Sequence, residues 1–79
     1  MIVNKNLCNI LKLLTTDEMN VTTISETLGL SQPLTSSRLK VLKQLGLVTS
    51  RREKSVIYYT INEEKRAEIM SLLNFMNCL

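Results

Sequence analysis

Seven residues between positions 31 and 43 carry the densest usable chemistry in the chain. Ser31, Gln32, Pro33, Ser36, Ser37, Lys40 and Lys43 recur at the spacing of one helical face, with Gln44 beside them and no carboxylate among them. Hydroxyls, amides and ammonium groups gathered on one face suit an α-helix lying in a base-pair groove between two rows of phosphates. An ordinary solvated face has a similar composition, so the surrounding elements must decide. A second basic group, Arg51, Arg52 and Lys54, follows within a few residues. Enzymatic chemistry finds little to work with. The chain has no histidine, and its seven acids are scattered over expected helix ends and loops, leaving no nucleophile–base pair and no metal cluster. No cofactor is expected.

The elements that must position these residues can be read from caps and periodicity. Ser31 is a good N-cap, Pro33 sits in a first turn where its missing N–H does no harm, and Gly46 supplies a left-handed stop. These signals bound a helix over 32–45, with Leu34, Leu39, Val41, Leu42, Leu45 and Thr35 on its buried arc. Arg38 falls near the middle of that arc, so it should snorkel or pair with an acid and not read bases. Upstream, Asn4 to Leu14 reads as a helix with Leu7, Ile10, Leu11 and Leu14 on one face and Val3 extending it. Residues 15–20 break the pattern and read as a loop, and Asn20 can cap a second helix from Val21 to Leu28. Only Gly29 and Leu30 separate that helix from the cap at Ser31, the tight junction of a helix-turn-helix.

Beyond Gly46 the period becomes extended. Residues 47–52 and 55–61 read as a β-hairpin turning at Glu53 and Lys54, a basic wing over 49–57 directly after the candidate reading helix. Asn62 then caps a last helix, from Glu63 to about Asn77, with Glu63 and Glu64 suiting its positive end. Its stripe of Ile69, Leu72, Leu73, Met76 and Leu79, widened by Met70 and Phe75, is broader than one small domain can cover. Together with Leu7 it predicts a homodimer seam. The expected fold is mainly α with a β-hairpin wing, a winged helix-turn-helix in the order α-α-α-β-β-α. It forms a single domain over 1–79, with residues 63–79 as the dimerisation helix.

Charge supports this order. From Ser31 to Lys54 six basic residues face one acid, Glu53, a net of +5, while the segments before and after each net −1, within a chain of +3 overall. A field confined to the central third suits a polyanion such as double-stranded DNA. At 79 residues and 4% aromatics, the core must be built from Leu, Ile and Val. Polar residues interrupt every apolar stretch, so neither a membrane span nor a signal peptide is expected, and the expected location is the cytoplasm.

The stretch LGLSQPLTSSRLKVLKQLGLVTSRRE, followed by VIYYTI, resembles the winged-helix repressors of the ArsR/SmtB type, the arsenic- and zinc-responsive regulators. The likeness runs from Leu7 to the last helix. It implies that Gln32, Pro33, Ser36, Ser37 and Lys40 face a major groove, that Arg51, Arg52 and Lys54 form the wing, and that the first and last helices dimerise. The family's thiolate metal site does not carry over. Its segment here is EMNVTTI, with Asn20 and Thr22 where the cysteines would stand, and neither is a soft ligand. The second metal site of the family relies on histidine and carboxylates, so no metal is expected. Lys54 also replaces a frequent wing-tip glycine. Cys8 and Cys78 read by themselves as small hydrophobes. Some relatives sense persulfide or oxidant through cysteines in the first core helix and the last, so the resemblance leaves a thiol-responsive repressor as an alternative. A winged-helix module binding an acidic protein is the other alternative.

Overall fold

The computed structural model describes residues 5–76, with side chains to Asn74. The expected contributions of Val3, Asn4, Phe75, Met76, Asn77, Cys78 and Leu79 therefore lie outside the described side chains. The order is α1 (Lys5–Leu14), β1 (Met19–Asn20), α2 (Val21–Leu28), α3 (Gln32–Gln44), β2 (Val48–Glu53), β3 (Val56–Ile61), a 3-10 turn (Glu63–Lys65) and α4 (Arg66–Met76).

Each helix of the helix-turn-helix starts and stops where its capping chemistry dictates. The Asn20 side chain accepts from the Thr23 N–H at 2.8 Å, and Ser31 Oγ accepts from the Leu34 N–H at 3.2 Å. Gly29 takes φ 68° and closes α2, and Gly46 takes φ 77° after the cap at Leu45, both in the left-handed region where a Cβ would clash with the backbone. The helix boundaries expected for α2 are met to the residue.

The core lies where α1, α2, α3 and α4 meet the inner face of the sheet. Ile10, Leu14, Ile24, Leu39, Leu42, Ile61 and Ile69 are its largest sealed side chains among the described residues. Each contributes about 1.5–3 kcal/mol by leaving water. Thr35 is also sealed, and its hydroxyl donates to the Ser31 carbonyl at 2.9 Å, so that hydroxyl is not stranded.

Four expectations are corrected. Residues 15–20 are not all loop: Met19 and Asn20 pair with Tyr59 and Tyr58, making an antiparallel sheet of order β1-β3-β2. A two-residue strand is too short to carry a period of its own; the exposed edge of β3 creates it. Leu45 is 60% exposed, because α3 ends before it can turn onto the core. The hairpin turns one residue later than expected, at Lys54 and Ser55, since Glu53 still pairs with Val56. Asn62 caps the 3-10 turn, accepting from Glu64 N–H at 3.1 Å, and α4 proper begins only at Arg66.

One correction bears on the dimer seam. Ile69 is 0% exposed and Leu73 is buried, both within the protomer core beside α1, so their side chains are taken up by the protomer itself. An Ile or Leu at the centre of a short helix is taken by its own core first. Leu7 and Leu72 are half-buried and Met70 is 42% exposed, which leaves them the apolar surface of these helices among the described side chains.

Candidate nucleic-acid interface

On α3 the structure brings the expected reading face to the surface. Ser31, Gln32, Pro33, Ser36, Ser37, Lys40 and Lys43 are all exposed, and the helix contains no acid. Arg38 is half-buried, with its Nε sealed from water and without a hydrogen-bond partner. The Gln32 amide is held at its root, donating from Nε2 to Thr22 Oγ1 of α2 at 3.3 Å. Lys43 reaches the wing, its Nζ donating to Ser50 Oγ at 2.7 Å.

That last bond sets how the wing joins the helix. Side chains alternate along a strand, so Val48, Ser50 and Arg52 share one face of β2 and Thr49, Arg51 and Glu53 the other. Arg52 therefore lies on the Ser50 face, continuous with Lys43 and the α3 surface, and Lys54 stands at the tip with φ 58°. Arg51 points the other way. Its Nε and Nη2 grip both oxygens of Glu18 at 2.9 and 2.7 Å, Nη1 donates to Glu53 at 3.1 Å, and the guanidinium lies 4.8 Å over the Tyr58 ring. These bonds hold the Glu18 carboxyl below its usual range, with the adjacent positive charge adding to the effect, and they push the Arg51 guanidinium upward. The basic cluster read from the sequence thus divides into two presented cations, Arg52 and Lys54, and one neutralised strut, Arg51.

The stretch matching the family's thiolate site is occupied by other work. The Asn20 oxygen is the α2 cap, and Thr22 Oγ1 accepts from Gln32. Among the described residues no group of three or more His, Cys, Asp or Glu stands together. Cys8 is buried in α1 and disulfide-bonded, and the one other cysteine of the chain, Cys78, lies outside the described residues. No helix of the described residues is long and apolar enough to cross a membrane.

Sequence reasoning missed three participants: Thr22, Ser50 and Glu18. Each acts through a partner 7 to 33 positions away, and no local pattern announces such a pairing.

Comparison with known proteins agrees with this geometry. The family described as bacterial regulatory protein, arsR family, matches residues 4–50. The chain is 33% identical over 61 residues to the biofilm growth-associated repressor of Xylella fastidiosa, covering 77% of this chain and 54% of that protein. It thus spans about half the length of that relative. It is 32% identical over 75 residues to the transcriptional activator HlyU of Vibrio cholerae, covering 95% of this chain and 69% of that one. Among solved structures, a homodimeric winged helix-turn-helix DNA-binding domain from Mycobacterium bovis superposes with a TM-score of 0.82 at 33% identity, covering 95% of this chain and 69% of that one. The HlyU structure from Vibrio vulnificus gives a TM-score of 0.79 at 36% identity, covering 92% and 77%. With its capped helix pair, its hairpin wing and a family match over more than half its length, this chain is a winged helix-turn-helix protein that belongs to the arsR family of bacterial regulatory proteins.

Proposed function

We propose that the chain is a sequence-specific DNA-binding transcriptional regulator that acts as a homodimeric repressor. Residues 32–45 of each protomer lie in a major groove, and the wing over 49–57 lies on the backbone and minor groove. The observation that carries this reading is the continuous acid-free surface running from Gln32 through Lys40 and Lys43 to Ser50 and Arg52, joined by the Lys43–Ser50 bond. Ser36 and Ser37 stand where base edges would pass, and Lys40, Arg52 and Lys54 where phosphates would. Leu72 on α4 and Leu7 on α1 offer apolar surface for the second protomer. Named relatives include both repressors and an activator; repression is the reading favoured here because a reading helix and wing seated on an operator act by occupying it.

Unbiased selection of bound duplexes tests this. A two-fold symmetric site with half-sites about 10 base pairs apart is expected. Enrichment of no sequence, with binding to an acidic protein in its place, would mean a protein-interaction module.

The disulfide at Cys8 favours a second reading, in which thiol oxidation controls the same regulator. Mass spectrometry after mild oxidation should then find Cys8 linked to Cys78. Two unlinked cysteines would end that reading.

A further inference from the structure

Gln32 is the first residue of the reading helix, and like Gln44 at the helix's other end it carries a hydrogen-bond donor and an acceptor in one plane. Its Nε2 is not left to rotate. One of its two hydrogens goes to Thr22 Oγ1 at 3.3 Å, across the turn that joins α2 to α3. Both residues are otherwise open to solvent. Thr22 is fixed in turn, because it occupies the first turn of a helix whose cap, Asn20, and stop, Gly29, are both satisfied. Ser31 fixes the backbone of Gln32 from the other side, through its bond to the Leu34 N–H.

The consequence is a chemical one. In a primary amide, the hydrogen on the Cγ side can serve Thr22 while the hydrogen on the oxygen side stays beside Oε1. That remaining donor–acceptor edge matches the N7 acceptor and N6 donor that adenine shows in the major groove. A freely turning glutamine would lose side-chain entropy on docking, whereas one already tethered loses less.

Resting on the reading of this chain as a DNA-binding regulator, we propose that Thr22 is a positioning residue for base recognition. By holding the Gln32 amide, it makes the chain select adenine at one position of each half-site. Thr22 itself contacts no base. Its hydroxyl decides which edge of Gln32 faces the groove.

The test is selection from a randomised duplex pool by the full chain and four variants, Gln32→Ala, Thr22→Val, Thr22→Ala and Thr22→Ser, each checked for folding by circular dichroism and thermal unfolding. Wild type should enrich adenine at one half-site position. Gln32→Ala should lose that preference by about tenfold or more, within the range of a bidentate base contact. Thr22→Val, which keeps the shape but removes the acceptor, should relax the same position several-fold and no other, with an unchanged salt dependence. Thr22→Ser should restore the wild-type ranking. If Thr22→Val keeps the adenine preference that Gln32→Ala loses, Thr22 is a strut of the turn and the proposal fails. It fails equally if Gln32→Ala leaves every position unchanged, although the chain still binds DNA. Absence of selective duplex binding by the wild type would instead overturn the functional reading itself. Should Thr22→Val lower stability, the Thr22→Ser ranking and Thr22→Ala decide the matter by the same comparison.

Discussion

Arg51 holds Glu18 by two near-parallel hydrogen bonds, at 2.9 and 2.7 Å, across 33 positions of sequence. The pair pins the outer face of the wing to the residue that leads into β1. It also removes Arg51 from the cations offered to a phosphate backbone, since its charge is answered by Glu18 and Glu53.

A difference in salt dependence follows. Arg51→Ala should leave the slope of log K against log [salt] close to wild type, while Arg52→Ala and Lys40→Ala should each flatten it by about one unit per protomer. Glu18→Ala leaves Arg51 paired with Glu53 on the face turned away from α3 and should also leave the slope close to wild type. Fluorescence anisotropy on a labelled duplex at several salt concentrations checks all four. Equal flattening by Arg51→Ala and Arg52→Ala would show that the wing uses both faces.

Much of this division was hidden in the sequence. The caps Asn20, Ser31 and Asn62 and the stops Gly29 and Gly46 were readable because each satisfies a local backbone need. The acid-free face of α3 was readable from its period. Adjacent Arg51 and Arg52 were not separable, because strand alternation assigns faces only once the inner face is known, and β1 and Glu18 reach the wing only through the folded sheet. Ile69 and Leu73 looked available to a partner for a related reason: a stripe on a helix does not say whose core it fills.

The pH dependence has a defined sign. Glu18 and Glu63 titrate below the usual carboxylate range because Arg51 and Arg66 donate to them. Their pairs therefore support the fold fully above the ordinary carboxylate pKa, and that support is lost as pH falls through the depressed folded values. Glu63 is exposed and Glu18 half-exposed, so solvent screening limits the effect to a modest fall in thermal midpoint in acid. Carbon-detected NMR titration of the two carboxyls should place both below the ordinary carboxylate range. In Arg51→Ala, Glu18 should return to the usual range and Glu63 should not move.

Lys54 sits at the wing tip with φ 58°, a conformation that costs a residue with a Cβ about 1–2 kcal/mol. Lys54→Gly should relieve that strain, partly offset by the greater freedom of glycine in the unfolded chain, for a net gain of up to about 1 kcal/mol. It should weaken duplex binding at the same time by removing a phosphate partner. Denaturant unfolding and anisotropy together check the opposite signs.

On α4 the two kinds of apolar residue should behave differently. Ile69→Ala opens a cavity in the protomer core and should cost about 2–5 kcal/mol. Leu72→Glu, on the half-buried side, should leave the protomer folded and shift it towards monomer in sedimentation. Unfolding by Leu72→Glu would place that residue in the core as well.

The most direct test of the central claim is the affinity of the unmodified chain for a selected duplex between about 50 and 200 mM salt. Three presented cations per protomer, Lys40, Arg52 and Lys54, in a dimer give an expected slope of about −5. Steep linear loss of affinity at that slope is the result expected. No duplex affinity at the lowest salt, or an affinity that salt does not change, would contradict the assignment of this surface to DNA.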